Sequence, residues 1–82
     1  MIDVKKRTYN GVYLPPIEFK IVELFVANSG ELITREDVIR AVWGENHNRK
    51  SKVFDLHLCM IKKRIPDIAI KCRPKFGYIY EP

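Results

Sequence analysis

Residues 49–65 read RKSKVFDLHLCMIKKRI, and here the side chains able to do chemistry are concentrated. Arg49, Lys50, Lys52, Lys62, Lys63 and Arg64 are cations, and His57 adds an imidazole. Such groups hold phosphate-like anions by charge and charge-assisted hydrogen bonds. On a helix, Phe54, Leu58, Ile61 and Ile65 fall within about 60° of each other, which makes a core face. Lys52, Leu56, Cys59 and Lys63 point away from that seam. Val53 and Met60 lie on one shoulder, Asp55 and Lys62 on the other. The segment therefore has a second apolar stripe, Val53, Leu56, Cys59 and Met60, fenced by cations. One apolar face is a core; the second needs a ligand that is apolar in places and anionic around them.

Other chemistries fit less well. His57-Leu58-Cys59 and the distant Cys72 do not match a zinc spacing, so no metal is expected. No catalytic constellation is present, so no enzyme activity and no cofactor are expected. Without a secretory signal at the N-terminus, Cys59 and Cys72 are expected as reduced thiols in a cytoplasmic protein. No apolar run is long enough to span a membrane.

Charge sharpens the first reading. Residues 1–48 hold six basic and seven acidic side chains, whereas residues 49–82 hold nine basic and three acidic. The net charge of +5 thus comes from the second half of the chain. Such asymmetry suggests one face aimed at a polyanion. At 82 residues the chain is expected to form one domain, 1–82, with a thin stability margin.

The elements that must position these residues are legible. Ile2 to Leu14 reads as a β-hairpin, roughly 2–9 and 12–14, turning at Asn10-Gly11, where both positions accept positive φ. Lys5-Lys6-Arg7 reads as a solvated strand or tail. Pro16 can open a helix that runs to Asn28, where its missing N–H costs nothing. Gly30 is available for its left-handed C′ position. Glu31-Leu32-Ile33 reads as a short strand. Thr34 is a good N-cap with Asp37 three residues on, and a helix runs to Trp43, expected in the core, with Gly44 closing it. A polar loop, 44–50, precedes the third helix, 51–65, which Pro66 ends. Ile68 to Cys72 and Tyr78 to Tyr80 read as strands around a basic turn, 73–77. Phe76 and Tyr78 are expected to pack within that hairpin. The order hairpin, three helices, hairpin makes an α+β winged helix-turn-helix.

Four motifs then resemble the OmpR/PhoB-type winged-helix DNA-binding domain of bacterial response regulators. Leu14-Pro-Pro-Ile-Glu18-Phe19 resembles its Leu-Thr-x-x-Glu-Phe opening. Gly30-Glu-Leu-Ile-Thr-Arg35-Glu36, followed by Ala41-Val-Trp43-Gly44, resembles Gly-x-x-x-Ser-Arg-Glu and Val-Trp-Gly. Val53-Phe-Asp55-Leu-His57 with Ile61-Lys-Lys63-Arg is similar to Thr-Val-Asp-Val-His with Leu-Arg-Lys-Lys. Phe76-Gly77-Tyr78 resembles the Gly-x-Gly-Tyr wing. Pro15, Lys52, Met60 and Pro74 depart from the pattern. The resemblance covers about residues 12–80 and implies a transcription regulator of bacterial or phage type that binds double-stranded DNA in sequence-specific fashion. The family usually carries a phosphorylatable receiver before this module; with Met1 as the native start, a stand-alone module is expected.

On that reading helix 51–65 enters the major groove and wing 73–77 the minor groove. Arg49, Lys50, Lys52, Lys62, Lys63 and Arg64 would hold phosphates, with His57 beside them. Val53, Leu56, Cys59 and Met60 would face base edges, and Arg73 and Lys75 the minor groove. The resemblance also implies pairing on tandem half-sites and RNA polymerase contact through loop 44–50. The alternative is a protein-interaction module, an anti-activator or polymerase-binding protein, using the Val53, Leu56 and Met60 face.

Overall fold

A computed structural model describes residues 2–44 and 51–82 of the chain. Three short strands open it: β1 (Ile2–Asp3), β2 (Thr8–Tyr9) and β3 (Val12–Tyr13), paired antiparallel in the order β1-β2-β3. The β2–β3 turn has Asn10 and Gly11 at φ 49° and 83°, the signs a two-residue hairpin turn of the primed type requires. Residues 4–7 form a further turn rather than continuing a strand. The Asp3 carboxylate accepts the Lys6 N–H at 3.1 Å, and Arg7 takes φ 54°. A local side-chain acceptor thus wins over strand extension, and three adjacent cations gain nothing from being straightened.

Helix α1 (Pro16–Ala27) starts with proline at its first position, as expected. It ends at Asn28, whose side-chain amide donates to the Leu24 carbonyl at 2.8 Å. Gly30 does take positive φ, but two residues beyond that cap rather than one. Strand β4 (Leu32–Ile33) follows, then α2 (Arg35–Trp43). The Thr34 hydroxyl accepts the Asp37 N–H at 3.1 Å, which satisfies one of the orphan donors of the first turn. Gly44 closes α2 at φ 89°. Helix α3 (Ser51–Arg64) leads to the hairpin β5 (Ile70–Arg73) and β6 (Gly77–Tyr80). The second sheet has the order β4-β6-β5, so the short strand between the first two helices lies beside the hairpin.

The core is shared by all of these. Ile21, Val22 and Phe25 of α1, Val38 of α2, and Phe54 and Ile61 of α3 are fully buried. Tyr78 of β6 meets Phe25 and Phe54 edge-on at 6.5 and 5.5 Å, contacts worth about 0.5–1.5 kcal/mol each beyond area burial. The two sheets are tied by the buried hydroxyls of Tyr9 and Tyr80, 2.5 Å apart. Trp43 is half-buried at the edge of this core. Gly77 sets the β4–β6 spacing: a Cβ there would stand 2.3 Å from the Ile33 carbonyl oxygen. Among the described residues no helix is long and apolar enough to cross a membrane.

Candidate nucleic-acid interface

Helix α3 divides as its periodicity predicts. Phe54, Leu58, Ile61 and Ile65 are buried. Lys52, Leu56, Cys59 and Lys63 are exposed on the opposite face, with Leu56 at 60%. Val53 and Met60 are half-buried on one shoulder. Lys62, Lys63 and Arg64 occupy the last turn, where cations offset the negative end of the helix dipole. Among the described residues Lys52, Lys62, Lys63 and Lys75 form no ion pair, so their charge faces solvent uncompensated. Asp55, the acid on that surface, is neutralised by an ion pair with Arg35 at the start of α2. The Arg35 guanidinium also lies 5.8 Å from the centre of the Phe54 ring, which fastens α2 to α3 through charge and ring together.

His57 and Arg64 sit on the Val53–Met60 shoulder but turn inward. Both reach Glu18, a carboxylate in the first turn of α1 and only 1% exposed. The Arg64 Nε–H donates to Glu18 Oε1 at 3.0 Å. His57 Nδ1 lies 3.8 Å from Glu18 Oε2, and its ring faces Trp43 with centroids 6.0 Å apart. That Nδ1 is buried with no hydrogen-bond partner among the described residues. The sequence led to phosphate contact as the expectation for both; the structure places both beside buried Glu18. Glu18 is the residue sequence reasoning missed. A glutamate in an amphipathic helix reads as solvated, and only its place in the Leu14–Phe19 motif marked it.

The hairpin tip is basic, as expected, with Lys71, Arg73 and Lys75 exposed. Arg73 also pairs with Glu81 at 3.2 Å. Tyr78 packs inward, but Phe76 does not: it is 66% exposed. Register decides this, because Phe76 lies in the turn while Tyr78 pairs with Cys72 inside the ladder. Lys75 holds φ 73°, a left-handed position that costs a side-chain-bearing residue about 1–2 kcal/mol. Arg49 and Lys50 lie outside the described residues, as does loop 44–50 apart from Gly44.

The profile of the family described as transcriptional regulatory protein, C terminal, matches residues 9–80. The chain belongs to that family. Proteins similar to it include the transcriptional regulatory protein VxrB of Vibrio cholerae serotype O1, 28% identical over 72 residues that cover 85% of this chain and 29% of VxrB. The regulatory protein CssR of Bacillus subtilis is 28% identical over 69 residues, covering 84% of this chain and 31% of CssR. The chain thus spans about three tenths of the length of these two relatives. Among solved structures, the DNA-binding domain of Bacillus subtilis CssR superposes with a TM-score of 0.85 at 25% identity, covering 98% of this chain and 97% of that one. The Klebsiella pneumoniae RstA DNA-binding domain, in complex with the RstA box, gives 0.81 at 21% identity, covering 99% of this chain and 89% of that one. The winged-helix fold is the one these domains share.

Proposed function

We propose that the chain is a sequence-specific double-stranded DNA-binding transcription regulator, with α3 in the major groove and wing 73–77 in the minor groove. The observation that carries this is the outer face of α3, where exposed Lys52 and Lys63 flank exposed Leu56 and Cys59 on one side of a helix whose other side is core. Phosphates flank a groove floor that displays thymine methyls, and this face presents the complementary order. Lysines there supply affinity and salt dependence, while apolar contacts to the thymine C5-methyl discriminate bases. Leu56 and Met60 take the methyl contacts, with Val53 and Cys59 adjacent. Lys52, Lys62 and Lys63 hold phosphates, joined by Arg49 and Lys50 before the helix. Arg64, oriented by Glu18, reaches the backbone from the shoulder, with His57 beside it. Arg73 and Lys75 serve the minor groove, whose negative potential attracts such side chains. The DNA-binding names of CssR and of the RstA complex support the same assignment. Two copies on tandem half-sites, and RNA polymerase contact through loop 44–50, complete the proposal.

The test is duplex affinity against salt concentration. Random-sequence duplex should be bound at low salt and released as salt rises. Lys52→Gln with Lys63→Gln should flatten the log–log slope by about 1.8 units, the release expected from two phosphate contacts. Absence of any duplex binding at low salt would overturn the assignment and favour a protein partner on the Val53, Leu56 and Met60 face.

A further inference from the structure

The most exposed large apolar side chain among the described residues is Phe76, and phosphate contacts give it no role. Its setting is a closed turn. Arg73-Pro74-Lys75-Phe76 closes the hairpin, with the Phe76 N–H donating to the Arg73 carbonyl at 2.9 Å. Proline second and a left-handed residue third is the pattern of a type II turn. The third position ordinarily takes glycine or asparagine, yet Lys75 accepts the strained backbone. Both legs of the hairpin are held: Gly77 fits against Ile33 with no room for a Cβ, and Arg73 pairs with Glu81. The ring therefore stands off the hairpin tip, with the exposed cations Lys71, Arg73 and Lys75 on the same hairpin. It also walls the open groove between the wing and the start of α2, lined in part by Thr34 and Arg35.

An apolar ring among cations suits a ligand whose anionic rims enclose an apolar floor. The minor groove is such a ligand, and apolar side chains there act as wedges that partly unstack a base step. We propose that Phe76 is a specificity-determining residue: its ring seats against one base step in the minor groove, so affinity depends on how readily that step deforms. Pyrimidine–purine steps unstack easily and A-tract steps resist, so the wing reads flexibility where Arg73 and Lys75 read charge. This rests on the DNA-binding function proposed above.

The experiment uses the whole 82-residue chain and a duplex enriched by it from a random library. Footprinting locates the wing, and the step beneath it is changed among TA, CA and AA. The wild-type protein should prefer TA over AA by about fivefold to tenfold, a typical single-position penalty. Phe76→Ala should bind all three within about twofold of each other while keeping the wild-type salt slope, since no phosphate contact is lost. Phe76→Leu, still apolar, should keep part of the preference, and thermal melts should match because the ring is exposed. Equal step preference in wild type and Phe76→Ala overturns the proposal and leaves DNA binding standing. So does a wild type indifferent to the step. A wild type that enriches no duplex overturns the DNA-binding assignment itself, and this role of Phe76 with it.

Discussion

Replacing Arg64 by methionine should destabilise the fold, and the size follows from Glu18. That carboxylate is 1% exposed and takes the Arg64 Nε–H at 3.0 Å, while His57 at 3.8 Å is too distant to hydrogen-bond. Removing one partner of a buried ion pair costs about 3–5 kcal/mol, because the other charge stays buried and uncompensated. The Arg64 side chain is 39% exposed. Water can therefore enter where the guanidinium lay, which reduces the expected cost to about 2 kcal/mol. Total stability for a domain of this size is roughly 4–12 kcal/mol, so that loss is large. It corresponds to a fall in Tm of about 8–16 °C. The double variant Glu18→Leu with Arg64→Met removes the stranded charge and fills its place with an apolar side chain. It should recover to within about 1 kcal/mol of wild type. Urea unfolding followed by the fluorescence of the single tryptophan, Trp43, measures both. An Arg64→Met variant within about 0.5 kcal/mol of wild type would refute the reasoning, since that is the range of an ordinary surface substitution. A double variant no more stable than Arg64→Met would refute it equally. A loss of DNA affinity in Arg64 variants would otherwise be taken wholly for a lost phosphate contact.

Three further outcomes are expected. In an enriched duplex, thymine-to-uracil replacement should cost the wild type about 1 kcal/mol at one or two positions and cost Leu56→Ala little there; neutrality at every position would show that the α3 stripe does not read methyls. Gly77→Ala should cost about 3 kcal/mol, because its methyl would collide with the Ile33 carbonyl, and amide exchange in β4 and β6 should accelerate with it. Burial and the Tyr9 hydrogen bond push the Tyr80 phenol up to about 12 from 10.0. A raised folded pKa means its stabilisation is full below pH 10.0 and lost as pH rises through about 12. Tyr9→Phe should cost about 1 kcal/mol at neutral pH and lower that upper bound, as tyrosinate absorbance and alkaline urea midpoints would report.

The helices were legible because their signals are local. Pro16, Thr34 and Gly44 each punctuate a helix by backbone chemistry that needs no tertiary context, and the four buried positions of α3 follow from its period alone. What the sequence hid depends on pairing across the fold. The β4–β6 ladder joins residues far apart in the chain, and nothing in Leu32-Ile33 names Ile79 and Tyr78 as partners. Glu18 looks solvated until α3 delivers Arg64 and His57 to it. Lys5-Lys6-Arg7 reads as strand or tail because the competing acceptor, Asp3, acts through a side chain. The exposure of Phe76 is hidden for a related reason: an aromatic beside a strand reads as packing unless the turn register is known.

Sequence-specific DNA binding is tested by selection from a random duplex library with the wild-type chain. The expected result is an enriched, thymine-containing motif in which α3 meets the major groove, repeated in tandem at about 10–10.5 base pairs, one helical turn. Failure to enrich any motif over the input at low salt would contradict it.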